Sequence, residues 1–514
     1  MLYNNKARNS IWITGFIVIN LNEIYSNMYQ KKSILLFTLL TIFVVSFFTT
    51  CTNEKGTPDY NQFPEEIGKI IFTKCATPGC HNDKSKGGAG GLSLESWDKL
   101  FEGGTGSACA IPFRHDYSTL FSYINTYPDL GVTLSPTMPY NETKLTREEV
   151  LLFKNWINAG APSREGEIKF ADDPNRKKIY VTNQGCDVVT VFDQKTLLPM
   201  RYINVGSTAG TESPHMIRVS PDGQFWYVVF LGGQYLEKHR TSDDSFVGKA
   251  FIGSGNWNTF VITGDSQTAY CIDFLGSVIS TVDLNSLTAI PASGGGFTYP
   301  HGCTLNNAED ILYITGQSSN IIYKFPVADF SAMSTVNLFA TPPTATLNSH
   351  EIRFTPAGTK YFVTCQGTSD VRVMQTSNDS LLAIIPVGPM PSEMSFSTTT
   401  PFLYVTCMED TLSFPGKRGS VAIINYLTNT LESTIYTGHQ PHGIEVDDEK
   451  KLVYVANRNA TSDGTAPHHS FECGGRNGNV SFIDLNTRTM LLTPSGGIKK
   501  TEVSVDPYSV SIRK

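Results

Sequence analysis

Cys75 and Cys80 enclose four residues, and His81 follows the second cysteine directly, in the run CATPGCH. Two thiols followed at once by an imidazole can add across the two vinyl groups of a haem, with the histidine then held beneath the iron as proximal ligand. The common spacing for that chemistry, C-x-x-C-H, is shorter. The wider loop therefore leaves two other readings open: a local disulfide beside an incidental histidine, or a fragment of a zinc knuckle, for which few further ligands stand nearby. An electron-carrying iron takes a sixth ligand from the opposite side. The thioether of Met138, 57 residues after His81 and flanked by Pro136 and Pro139, suits that position. His115 is the other candidate for it.

The elements around these residues read as helices. Ile67, Ile70 and Ile71 form an apolar stripe leading into Cys75, which predicts a short helix ending in a loop at Pro78 and Gly79. Residues 145–160 predict a longer one: Thr146 and Glu149 have the spacing of a capping box, Val150, Phe153, Trp156 and Ile157 share a face, and Gly160 and Pro162 stop it. Between them lie a glycine-rich turn at 86–94 and a short helical stretch around 118–124. With its cysteines and histidine, GGLSL at 90–94, Met138-Pro139 and the terminal WINAGAP at 156–162, the span 63–162 resembles the c-type cytochrome domains common in planctomycetes and related bacteria. That resemblance implies a small all-α cytochrome c-like domain carrying one covalent haem c on Cys75 and Cys80, with His81 as proximal and Met138 as distal iron ligand.

After residue 175 the texture changes to short alternating strands with turn signals. An aromatic-rich word recurs seven times, as in KKIYVTNQG, GQFWYVVF and PFLYVTC, most copies preceded by a strand opening in Pro-His or a variant. Separations near a propeller blade's length predict an all-β seven-bladed propeller. The first unit lacks its leading strand, and residues 506–513 have the form of a leading strand without a successor, so blade closure by both propeller termini is expected. The repeat resembles the YVTN family of bacterial seven-bladed propellers, through Tyr180-Val181-Thr182-Asn183.

His215, His301, His350 and His442 occupy the same point of their units and should converge near one mouth of the central channel. There they can bind a metal or a haem-like cofactor, or simply bond the backbone carbonyls of adjacent blades. Glu212, Glu351, Glu393 and Glu445 lie near the same rim, and the insertion at 460–478 projects from it.

The N-terminus carries a targeting pattern. Two lysines, an apolar run at 34–48 and Cys51 resemble a bacterial lipoprotein signal starting at Met28, in which Cys51 becomes the lipidated first residue. The expected organisation is a signal region at 1–50, a lipidated tether at 51–62, the cytochrome-like domain at 63–162, a linker at 163–175 and the propeller at 176–514. Setting aside Cys51, Cys75 and Cys80 leaves seven of the ten cysteines, an odd number, so at least one is not paired within the chain. Forty basic residues against 47 acidic ones give no footprint for nucleic acid.

The expected function is an exported, lipid-anchored monohaem cytochrome on a bacterial envelope membrane, the outer membrane favoured. The propeller would serve as a docking platform for redox donor and acceptor proteins. Two rivals stand beside it: an oxidoreductase with a metal or ligand site in the propeller mouth, and a structural or binding lipoprotein without working haem.

Overall fold

The computed structural model describes residues 59–292, 296–467, 473–493 and 496–514. The signal region, Cys51 and most of the tether lie outside these residues. Among the described residues no helix is long and apolar enough to cross a membrane.

The α-helices are α1 (Glu65–Ile70), α2 (Trp97–Glu102), α3 (Thr119–Ile124) and α4 (Arg147–Asn158). α1 runs on into a wider helical turn, Ile71–Cys75, which delivers the first cysteine of the motif. Ser96 caps α2 by accepting from Lys99 N. Thr146 and Glu149 close the reciprocal capping box of α4, whose buried face is Val150, Phe153, Trp156 and Ile157. An ion pair of 2.6 Å from Lys74 to Glu149 ties the turn before Cys75 to the start of α4.

From Lys178 onward the chain forms seven antiparallel sheets, the blades of a seven-bladed β-propeller. Blades 2 to 7 begin with the inner strands Pro214–Val219, Trp257–Ile262, Pro300–Leu305, Ser349–Phe354, Pro391–Phe396 and Pro441–Asp447. Blade 1 combines Pro507–Ile512, Lys178–Asn183, Val188–Asp193 and Leu198–Asn204. A blade buries one face against each neighbour, which is why second strands such as Lys178–Asn183 are apolar on both sides.

The entry to the inner strands explains how side chains reach the axis. Ser213, Tyr299, Asn348, Met390, Gln440 and Asp506 precede six of the inner strands with φ between 47° and 59°. Five of those six stand before proline, which disfavours the right-handed helical region. The ladder then shifts between the first and fourth residues of the strand, as at Pro214/Ile217, Pro300/Cys303, Ser349/Ile352 and Pro441/Ile444. A bulge of this kind re-aims the residues it frees, and the second residue of each strand is the histidine position.

The expected fold class is corrected in two respects. The helices do not form a distinct small all-α domain. Phe63, Ile71, Cys75, Phe101, Phe153 and Ile157 share one continuous core with Tyr180, Val191 and Met200 of blade 1 and Ile217, Trp226 and Phe230 of blade 2. Tyr60 to Lys514 accordingly form a single compact unit. The physical reason is size: three helices of six residues and one of twelve offer too little surface to cover each other's apolar faces.

The seam of the ring also differs from what the sequence suggests, because the pairing of the two propeller termini within blade 1 does not hold it alone. Lys500–Val505 adds to the seventh sheet beside Asn477–Asp484, and its Glu502 N donates to Gly106 O of the helical segment at 3.2 Å. Arg114 donates to Tyr202 O at 2.9 Å and Asn204 Oδ1 at 2.8 Å, and Tyr117 stacks on Tyr202 at 4.1 Å. A disulfide joins Cys186, in a turn of blade 1, to Cys473 in the insertion of blade 7. The helical segment, the extra strand and this crosslink hold the seam together with the terminal pairing.

Candidate functional site

Residues 75–94 form a tightly bonded loop around the cysteine pair. His81 N donates to Cys75 O at 3.1 Å, Cys80 N to Thr77 O at 3.0 Å, and Leu94 N to His81 O at 2.9 Å. Buried Asn82 organises the far side: its Nδ2 donates to Thr77 O at 2.7 Å, and its Oδ1 accepts from Lys84 N and Ser85 N, both at 3.0 Å. Cys75 and Cys80 are both free thiols. Burial pushes Cys75 up to about 12, so it rests as a neutral thiol. Burial also lowers His81 below the ordinary imidazole range, favouring the neutral, ligating form, and its Nδ1 is buried without a partner.

Met138 sits in a loop anchored by its own N–H, which donates to Tyr123 O at 2.8 Å, and it packs against the core that contains Cys75. The loop is braced by Lys144, whose Nζ donates to Thr137 O at 2.9 Å and Pro139 O at 2.5 Å. His115 is engaged elsewhere, its Nδ1 2.8 Å from Asn158 Oδ1 and its ring edge-on to Phe121. Two free thiols, a neutral imidazole with an orphaned buried nitrogen, and a thioether bordering the same core fit a covalently attached haem. Sequence reasoning missed Lys144, Asn82 and Cys109. Cys109 lies close enough to Cys75 to interact electrostatically, and burial pushes it up to about 12 as well.

On the propeller axis the bulged strand entries bring five rings into a closed circuit. Ring centres are 4.2 Å apart for Tyr508 and His215, 6.1 Å for His215 and His301, and 3.8 Å for His301 and His350. The circuit returns through His350 and His442 at 5.5 Å and His442 and Tyr508 at 3.6 Å. The four histidines converge as their register predicts, and Tyr508 takes blade 1's place among them. His301 Nδ1 lies 3.2 Å from His350 O, and His442 Nδ1 3.2 Å from Tyr508 O. An imidazole that donates from Nδ1 keeps its lone pair on Nε2. Among the described residues no group of three or more His, Cys, Asp or Glu side chains is placed to hold a metal ion.

Directly over this circuit lies a layer built from the residue that follows the second strand of each blade. Gln184 Nε2 is 2.5 Å from His215 Nδ1, Phe274 stands edge-on to His301, and Gln366 Nε2 donates to Ser392 Oγ at 3.4 Å. Gln317 bonds Gln366, and Arg458 lies 4.9 Å over the Tyr508 ring while pairing with Asp506 at 2.6 Å. The repeat register contains this layer, since every member follows the recurring aromatic word.

On the other side of the circuit, buried Glu351 pairs with Arg353 at 3.1 Å. Burial pushes nearby Glu393 up to about 8, against the pull of Arg218.

The axis predicts a pH dependence of stability. Burial lowers His301 from 6.5 to about 4 and holds His215, His350 and His442 well below the ordinary range. Below pH 6.5 the unfolded chain therefore binds protons that the folded one refuses. Their stabilisation is complete above that pH and is lost progressively as pH falls toward about 4. The urea midpoint should drop over this window, and replacing His301 with phenylalanine should flatten the drop. A midpoint independent of pH there would contradict neutral burial.

The fold and these two clusters define a seven-bladed propeller with a helical segment packed on its first blades and bearing a cysteine-histidine motif. No family model and no curated protein matches the chain. Among solved structures it is similar to hydrazine synthase of Kuenenia stuttgartiensis, at 14% identity and a TM-score of 0.47 over 60% of this chain and 93% of that one. It is also similar to the dihydro-heme d1 dehydrogenase NirN in complex with DHE, at 13% identity and a TM-score of 0.45 over 66% of this chain and 76% of that one. Neither likeness assigns a role to any residue here.

Proposed function

We propose that the chain is an exported, lipid-anchored redox protein, an oxidoreductase whose propeller mouth takes a small ligand. Cys75 and Cys80 would hold a haem covalently, and His81 and Met138 would ligate its iron. Such a group, when bound, supplies one-electron chemistry. The chain's own contribution is positional: the bonded loop around Asn82 holds the thiols and imidazole, and Lys144 braces the Met138 loop. In the mouth, the imidazole and tyrosine rings make a floor, and Gln184, Gln317, Gln366 and Arg458 line the wall with donors and acceptors. A few convergent polar groups over an aromatic floor are typical of small-ligand sites.

The observation that carries the reading is the continuous core joining the cysteine-histidine segment to the first two blades, which makes motif and propeller one packed unit rather than a carrier on a tether. The alternative, an electron carrier whose propeller only docks partners, is favoured by the Nδ1 bonds of His301 and His442 to neighbouring carbonyls, which a purely structural plug explains.

Native mass spectrometry of the full protein from its own host separates the two. The reading expects a ligand mass beyond one haem that is lost in Arg458→Met and Gln366→Leu. A wild-type mass of lipidated chain plus one haem and nothing further would overturn it in favour of the carrier.

A further inference from the structure

Away from the axis, the third strand of blade 2, Tyr235–Arg240, places Glu237 and His239 two residues apart and so on one face. Both are almost wholly buried, at 3% and 2% exposure, yet they line an open cavity of about 250 Å³ shared with Asn204, Ser207, Phe246 and Lys249. His239 is locked in orientation by stacking on Trp226, with ring centres 3.8 Å apart and planes at 7°.

The polar groups at the floor are poorly satisfied. Glu237 has only long contacts, 3.4 Å from Ser207 Oγ and 3.4 Å from His239 Nε2, and among the described residues no lysine or arginine pairs with it. His239 Nδ1 is buried with no partner at all. A buried carboxylate without a cation is costly, and in native structures such groups ordinarily find one.

The surroundings add negative charge. Glu212 accepts from Ser207 N and Thr208 N, both at 2.6 Å, and Asp187 accepts from Glu212 N at 2.7 Å and Ser213 N at 2.8 Å. Burial, with Glu212 and Glu237 close by, holds Asp187 above the usual carboxylate range. The positive counterpart is Lys249 at the rim, donating to Ser207 Oγ at 2.6 Å and lying 4.0 Å over Tyr235.

We propose that this cavity binds a small primary ammonium compound, its –NH3+ head seated on the Glu237 carboxylate and the Ser207 hydroxyl beside the His239 ring, and its far end directed past Phe246 to the rim at Lys249. An ammonium carries three donors and one positive charge, and the two Glu237 oxygens and the Ser207 hydroxyl can accept from it. Phe246 gives a short alkyl chain an apolar wall, and Lys249 favours an anionic far end.

Calorimetric titration of the full mature protein with butylamine and with 4-aminobutyrate tests this. Both should bind with one-to-one stoichiometry, 4-aminobutyrate the more tightly by a few fold. Glu237→Gln should weaken both by about tenfold, the scale of a lost charge-assisted hydrogen bond. Lys249→Met should remove the difference between them. No saturable heat with either probe at about 10 mM, a concentration far above ordinary ligand affinities, overturns the proposal. So does equal binding by Glu237→Gln. Should that variant not fold, the imidazole NMR signals of His239 in the wild type serve instead: they should shift on titration, and their remaining still would overturn the proposal equally.

Discussion

Replacing Cys75 and Cys80 together by alanine is expected to leave a folded protein with no covalently attached haem, so that haem staining on a denaturing gel falls from full signal to background. The two thiols are free and flank a loop whose backbone is already fixed by bonds from His81 N to Cys75 O and from Cys80 N to Thr77 O. The attachment therefore does not have to organise the loop, and its loss should leave the propeller intact. The variant costs some packing at buried Cys75, about 1 kcal/mol for a small core truncation. That is small against the stability of a unit of this size. Stain retained in the double variant would show that any haem is held elsewhere.

The second large effect concerns the seam. Reducing the disulfide, or replacing Cys186 and Cys473 by serine, is expected to lower stability by about 5 kcal/mol, because the crosslink closes a loop of 287 residues in the unfolded chain. The bond spans blades 1 and 7, beside the backbone bonds from Gln184 N to Asp506 O at 3.0 Å and from Gly185 N to Val505 O at 3.2 Å. Those bonds remain in the variant, so the ring should stay assembled in water and fail earlier in denaturant. A guanidinium titration reads the result directly: a lower midpoint is expected, with a somewhat steeper slope because the uncrosslinked unfolded chain exposes more surface. An unchanged midpoint would mean that the seam's hydrogen bonds and the docked helical segment already limit unfolding.

What could be read from the sequence follows the repeat. Strand words such as YVTN and FWYVVF recur with one period, so their shared register predicts that His215, His301, His350 and His442 meet at the axis, and they do. The mouth layer of Gln184, Gln317, Gln366 and Arg458 was written in the same register. It was overlooked because polar residues after a strand read as turn. α4 was legible for a local reason, its capping box and apolar face lying within a dozen residues.

What was not legible is long-range or unique. The helical segment looked like a domain because amphipathic faces do not say what covers them, and here blades 1 and 2 cover them. The partner of Cys186 lies 287 residues away and outside the repeat. Glu237 and His239 belong to one blade only, so no comparison between units marks them, and part of their cavity wall comes from the loop at 204–207 of another blade. Lys144 reads as a surface lysine until the carbonyls of Thr137 and Pro139 are seen to converge on it.

The intact mass of the mature protein produced with haem-attachment machinery is the most direct test of covalent haem on Cys75 and Cys80. The expected mass is that of the mature chain with its lipid and its one disulfide plus one haem, with the chromophore retained through acid-solvent extraction. A mass without the haem, or one lower by two hydrogens beyond those lost to the Cys186–Cys473 disulfide because Cys75 and Cys80 have joined each other, would contradict it.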